Sequence, residues 1–345
     1  MPQTTQTQSL QLTDGPITFA GAISLDTSDK GVQPWRLVHD DLLLYEPALR
    51  DGPARHAAGV RLTLVSDTAS LTIAIAADEI EDAPVFDFDL FVDGKFHERF
   101  SLNQRPGNAV FANLPQGEHT LEVYLPQKAG VRVQGVSIDA NASAKRFDDP
   151  RPRWLVYGSS ITQCGASLGP SETWPALVAS KFDLNLTCLG YGGNCHMEPV
   201  VTRMLRDQPA DYISLCLGVN MFGGSSYSYR TFRAGVLGTI LTIRDKHPDT
   251  PLIVVSPISN PPREEKPNLV DMTLPKMRET IHEVVTLLQQ RGDKQLHVIN
   301  GLDVFGPDLA HHMPDGLHPD ANGYHVLAEQ YAKVVMPVFG LKPKR

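Results

Sequence analysis

The chain has 345 residues, 41% hydrophobic and 20% charged, the composition of an ordinary folded protein long enough for two domains. Its formal net charge of −8 gives no overall electrostatic reason to bind nucleic acid or an anionic membrane. No apolar run is long enough to span a bilayer.

The first residues, MPQTTQTQSLQLTDG, are polar and lack the basic-then-apolar pattern of a secretory signal. The expectation is a cytoplasmic protein, the alternative being a secreted one already trimmed of its leader. From there to about residue 148 the chain reads as β-structure. GVRLTLVSD (59–67) and SLTIAIAAD (70–78) alternate apolar and polar residues across a short turn. FDFDLFVDGKFHERFSL (86–102) does the same around Asp93-Gly94, a strong hairpin signal. HTLEVYLP (119–126) and VRVQGVSIDA (131–140) continue the pattern, and no helical period interrupts it. Such spacing predicts an all-β sandwich, jelly-roll-like, over residues 1–148. The polar, Pro-containing NASAKRFDDPRPR (141–153) predicts a linker.

From Trp154 the pattern changes. Apolar strands in 153–159, 184–192, 211–219, 251–258 and 294–301 alternate with helical stretches in 173–182, 197–207, 231–247, 274–291 and 321–339. Near-continuous apolar strands in β-α succession predict a five-stranded parallel sheet with helices on both faces. The fold class expected over 149–345 is a three-layer α/β/α, doubly wound, flavodoxin-like domain. Ligands bind beyond the carboxyl ends of such strands, so function is sought in the residues that follow them.

Those residues are Gly158-Ser159-Ser160-Ile161-Thr162 after the first strand and Gly190-Tyr191-Gly192-Gly193-Asn194-Cys195-His196 after the second. Gly218-Val219-Asn220 follows the third, and near the end Asp315 stands three residues before His318. Taken singly, Ser caps helices, Gly pairs make turns and Asn tolerates left-handed backbone. Together they supply the parts of acyl transfer. Ser160 is the candidate nucleophile, His318 its base, and Asp315 the carboxylate that orients the imidazole. The amides of Ser160 and Gly193 and the side chain of Asn220 are candidate oxyanion donors. Ser159 belongs to the turn, and with Cys164, Asn194, His196 and Met221 makes a candidate substrate pocket. Loops 225–230 and 259–268 are expected to border it.

His311 and His312 beside Asp315 and His318 raise the question of a metal. No other strand end completes such a centre, and no glycine-rich nucleotide motif is present, so neither metal nor cofactor is expected. Cys164, Cys188, Cys195 and Cys216 fit neither a zinc ribbon nor a disulfide framework and are expected to be free, mostly buried thiols.

The ordered set Gly-Ser-Ser160-Ile-Thr, Gly193, Gly-Val-Asn220 and Asp315-x-x-His318 resembles the SGNH (GDSL-type) hydrolase superfamily, across residues ~153–340. The resemblance implies Ser160 as nucleophile, Gly193 and Asn220 in the oxyanion hole, and Asp315 and His318 completing the triad. Where the superfamily commonly carries Asp before the nucleophile, this chain has Ser159, so the network around the turn must differ. GNCH after the second strand and a leading β-sandwich resemble a narrower group. That group includes a salicylyl acyltransferase of tetracycline-type polyketide biosynthesis and jelly-roll-bearing carbohydrate esterases. The implied activity is a serine esterase cleaving short acyl esters of a sugar or small hydroxylated molecule. An acyltransferase using the same acyl-enzyme is the alternative, and a non-catalytic binding protein is the alternative of another class. The implied partner is a small-molecule acyl ester, with no nucleic acid and no membrane.

Overall fold

The computed structural model describes residues 6–76 and 85–344. The first five residues of the polar N-terminal stretch and the last two of the strand expected over 70–78 lie outside the described residues. The chain divides into two compact units. The first comprises 1–40, 54–150 and 169–171, and the second 41–53, 151–168 and 172–345.

The first unit holds two antiparallel sheets. One runs in the order Ser24–Ser28, Gly31–Trp35, Val133–Asp139, Ser70–Ile75, Gly107–Ala112, with Thr7–Leu10 also paired to Val133–Asp139. The other runs Ala144–Lys145, Arg61–Ser66, His119–Tyr124, Phe86–Val92, Lys95–Leu102, with Thr18–Ala20 also paired to Arg61–Ser66. Alternation along these strands sends Leu62, Leu64, Phe88, Leu90 and Val123 of one sheet, and Leu71, Ile73, Phe111, Val136 and Ile138 of the other, into one core. Asp89, which alternation places on the opposite face of its strand from Phe88 and Leu90, is also fully buried. It accepts from Arg99 Nε and Nη2 (2.6 and 3.0 Å) and from the amide and hydroxyl of Ser171 (3.0 and 2.7 Å).

Two local differences from the sequence reading have simple causes. Helical turns interrupt the β-pattern at His39–Leu44, Pro47–Arg50 and Pro53–Arg55, too short to show a period and two of them opened by proline. Within the expected linker, Ala144–Lys145 pairs with Ser66 and Val65. That stretch is pinned because Asp67 accepts from the Ser143 amide (2.6 Å) and Ser66 Oγ donates to the Ser143 carbonyl (2.7 Å).

The second unit carries the five-stranded parallel sheet that the sequence predicts: β1 (Arg153–Gly158), β2 (Asn185–Gly190), β3 (Tyr212–Cys216), β4 (Leu252–Val255) and β5 (Leu296–Ile299). Their order is β2-β1-β3-β4-β5. The helices are α1 (Ser160–Gln163), α2 (Trp174–Phe182), α3 (Pro199–Asp207), α4 (Val219–Gly223), α5 (Tyr229–Arg244), α6 (Leu274–Gln290), α7 (Gly301–Val304) and α8 (Ala321–Val334). Right-handed crossovers put α2 with α8 on one face and α3, α5 and α6 on the other, and the helices pack in those groups. The five longer ones occupy the predicted helical stretches. Caps set their starts: Thr173 Oγ1 accepts from Ala176 N (3.4 Å) and Asp320 Oδ1 from Gly323 N (2.7 Å). The strand order reverses at β1, so a crevice opens where β1 and its neighbours end. No helix among the described residues is long and apolar enough to cross a membrane.

Candidate active site

Glycines set the geometry at the end of β1. A Cβ on Gly158 would lie 2.2 Å from Thr162 Oγ1, and one on Gly190, its register partner in β2, 2.3 Å from Gln163 N. Only bare backbone lets α1 turn this tightly off the strand. Ser159 caps the turn, its hydroxyl accepting from Ile161 N at 3.2 Å. The Trp174 indole N–H donates to Ile161 O (2.9 Å) and holds α1 down. Ser160 is then the first residue of α1, and its amide is one of the N–H groups that a helix start leaves unpaired.

The Ser160 hydroxyl lies 2.8 Å from His318 Nε2, and His318 Nδ1 lies 2.6 Å from Asp315 Oδ2. A carboxylate only accepts, so Nδ1 carries the proton and the Nε2 lone pair accepts from the Ser160 hydroxyl. The other carboxylate oxygen, Asp315 Oδ1, accepts from the amides of His318 (2.6 Å) and Leu317 (2.9 Å). Burial works against the Asp315 charge, but the His318 amide and ring and the Leu317 amide outweigh it and bring its pKa down to about 2. A concavity beside Ser160 is lined by Gly165, Ala166, Pro314, Asp315, His318 and Tyr324 among others.

The loops after β2 and β3 leave the same edge of the sheet on either side of β1. Asn194 N donates to Tyr191 O (3.1 Å), closing a β-turn with Gly193 at φ +71°. The turn's central N–H, that of Gly193, is not used by the turn's own hydrogen bond. Gly192 lies against Ser160, a Cβ there meeting Ser160 Cβ at 3.7 Å. Asn220 is the second residue of α4, and its Oδ1 accepts from Cys195 N at 3.1 Å. That contact fixes the amide so that Nδ2 faces away from Cys195.

The other expected pocket residues divide. Asn194 lies in the turn, with Nδ2 donating to Gly192 O at 2.8 Å. His196 bridges two loops: its Nε2 lies 3.0 Å from Gly193 O and its Nδ1 2.8 Å from Ser226 Oγ. The carbonyl can only accept, so Nε2 donates to it and Nδ1 accepts from the serine hydroxyl. Cys164 and Met221 are wholly buried and present no surface. The four cysteines are free, and burial first of all pushes the Cys216 thiol up to about 12, so even this least buried one stays protonated. Among the described residues no His/Cys/Asp/Glu group is arranged to hold a metal. Of the two expected bordering loops, 225–230 touches the loop after β2 and 259–268 comes against the turn that carries Asp315 and His318. Tyr227 Oη donates to His196 O (2.6 Å), and a Cβ on Gly316 would meet Pro262 Cγ at 2.7 Å.

The sequence reading passed over Gln163, whose Oε1 accepts from Gly192 N at 2.8 Å, and Tyr157, whose hydroxyl accepts from Met197 N at 3.1 Å. It also passed over Arg278 on α6, which orders the loop after β4. Its guanidinium donates to the carbonyls of Pro257 (2.7 Å) and Ile258 (3.0 Å) and pairs with Glu264 (2.7 Å). These residues act on backbone or on one another and carry no spacing signal.

Comparison with known proteins gives two consecutive matches along the chain. The model of the GDSL-like lipase/acylhydrolase family matches residues 152–336, and that of the N-terminal domain of SsfX3 matches residues 17–134. Among solved structures the chain is similar to the salicylyl-acyltransferase SsfX3 from a tetracycline biosynthetic pathway. The identity is 31% and the TM-score 0.89, over 98% of this chain and 99% of that one. A structure from Bacteroides ovatus described as a GDSL-like lipase matches at 20% identity and TM-score 0.77, over 99% of each chain. An acetyl xylan esterase from the rumen bacterium Butyrivibrio proteoclasticus matches at 11% identity and TM-score 0.64, over 97% of this chain and 98% of that one. The last two likenesses are of fold alone. No curated protein matches the chain. A Ser–His–Asp triad and an oxyanion hole are typical of the matched family. With that match spanning the sheet, the Ser160 turn and the Asp315–His318 loop, the chain belongs to the GDSL-like lipase/acylhydrolase family.

Proposed function

We propose that the chain is a serine esterase that cleaves short-chain acyl esters of a sugar or another small hydroxylated molecule through an acyl-enzyme. The reading is carried by the unbroken relay from Ser160 Oγ through His318 to Asp315, at 2.8 and 2.6 Å. His318 Nε2 takes the hydroxyl proton as Oγ attacks the acyl carbon and returns it to the departing alcohol. Water then gives a proton to Nε2 as its oxygen attacks the acyl carbon, and Nε2 passes that proton to Ser160 Oγ as the ester bond to the serine breaks and the acid departs. The negative oxygen of each tetrahedral intermediate is met by the Ser160 and Gly193 amides and Asn220 Nδ2. These steps need neither metal nor cofactor. The His318 and Asp315 side chains are 36% and 54% exposed, which gives water a route to the acyl-enzyme. In this reading residues 149–345 carry the chemistry and residues 1–148 form an accessory sandwich.

One observation favours a second reading, delivery of the acyl group to an alcohol. The 31% identity to a salicylyl-acyltransferase runs along nearly the whole of both chains. The intact relay speaks against a purely binding protein.

Hydrolysis of p-nitrophenyl acetate by the wild type and Ser160→Ala tests the core of the proposal. The variant is expected to lose about a thousandfold or more in kcat/KM, and equal rates would return the chain to the binding class. Division of the acyl product between water and an added alcohol separates esterase from transferase.

A further inference from the structure

The turn from Tyr191 to Asn194 contains one of the amides that the proposed mechanism uses. Gly193 has φ +71° and Gly192 lies outside the positive-φ residues, which makes this a type II turn. A type I turn joins the same ends with the central peptide turned over. Here that peptide is Gly192–Gly193, which carries the Gly193 N–H. In a trans peptide the C=O and N–H point opposite ways, so turning it over would put the Gly192 carbonyl where the oxyanion donor should be. Glycine accepts either sign of φ, so Gly193 permits the active orientation without selecting it.

The neighbouring contacts do not select it either. Gln163 Oε1 holds the Gly192 N–H (2.8 Å), on the preceding peptide, and His196 Nε2 donates to Gly193 O (3.0 Å), on the following one. Asn194 Nδ2 acts on the middle peptide itself, donating to Gly192 O at 2.8 Å. That bond exists only in the orientation that aims the Gly193 N–H away from Asn194. It also draws density toward the carbonyl, which strengthens the opposite N–H as a donor.

We infer that Asn194 is a positioning residue, latching the Gly192–Gly193 peptide with its N–H toward the developing oxyanion. The inference rests on the reading of Gly193 as an oxyanion donor. Asn194 need not touch substrate; it sets the population of the competent turn.

The test compares an aryl acetate with the matching aryl thionoacetate, whose sulfur is a poor acceptor for oxyanion donors. Asn194→Ala and Asn194→Asp are made alongside Asn220→Ala and Ser160→Ala, with melting curves for all. Asp keeps the shape at 194 but cannot donate to a carbonyl, so it answers the question if Ala fails to fold. Both Asn194 variants are expected to lose about tenfold in kcat on the oxo ester with little change in KM, against about a hundredfold or more for Asn220→Ala. The oxo-to-thiono rate ratio is expected to fall with them, because the thiono ester gains less from the latch. Equal losses on both esters, or no loss, with Asn220→Ala still selective for the oxo ester, would overturn the latch and leave the esterase reading standing. No selectivity in Asn220→Ala, or full activity in Ser160→Ala, would overturn that reading itself.

Discussion

Asp315 accepts from the ring and amide of His318 and from the Leu317 amide, all within one tight loop. Asn at this position keeps the shape but can donate to Nδ1, which would move the imidazole proton to Nε2 and leave no base facing Ser160. Asp315→Asn is therefore expected to lower kcat by about 10³–10⁴-fold with little change in melting temperature, as measured by ester hydrolysis and thermal scans. With its pKa brought down to about 2, Asp315 stays ionised through the whole working range. The residues proposed for this chemistry stand out in sequence because acyl transfer dictates their types and their places after strands. Asn194, Gln163 and His196 stand out less, since each works on a backbone group whose direction no side-chain pattern records. Cys164 and Met221 stand next to the motifs in sequence, yet α1 and α4 turn both into the core.

Secondary-structure elements are held by polar contacts that can be perturbed one at a time. Asp139, at the end of Val133–Asp139, accepts from Ala69 N (2.8 Å), Ser70 N (3.1 Å), Thr68 Oγ1 (3.0 Å) and Ser70 Oγ (2.6 Å). It thereby ties down the turn that joins Arg61–Ser66 to Ser70–Ile75. Burial opposes its charge, but the Ser70, Thr68 and Ala69 donors outweigh it and lower the pKa. A carboxyl depressed in the folded state adds stability above its unfolded value, about 3.9, and loses it as pH falls through the folded one. Asp139→Asn is expected to cost about 1–3 kcal/mol at pH 7, with the gap to wild type narrowing below about pH 4. Denaturant melts across that range check it, and a constant gap would sink it. Strands with clean alternation were readable from sequence, and so were the longer helices. Gly31–Trp35 was not, because Pro34 breaks the strand pattern, and the four residues of α1 are too few to show a helical period.

At the scale of the molecule, the compact units do not coincide with two consecutive stretches of sequence. Residues 41–53 belong to the second unit and 169–171 to the first. Tyr45 and Leu49 of the early segment are buried, and Ser171 supplies two of the donors to buried Asp89. A fragment starting at Arg151 lacks the 41–53 segment, and the complementary fragment leaves Asp89 without Ser171. The Arg151–Arg345 fragment is expected to melt below the full chain by several degrees or to be recovered insoluble, as calorimetry and expression yield would show. A fragment as stable as the parent would contradict this.

That interleaving bears on any attempt to recombine the protein. A single splice near residue 150 would hand the recipient the whole parallel sheet but leave behind the helical turns of 41–53 that belong to the same unit. Moving the second unit intact means transplanting three separate stretches, so its natural currency of exchange is the whole gene.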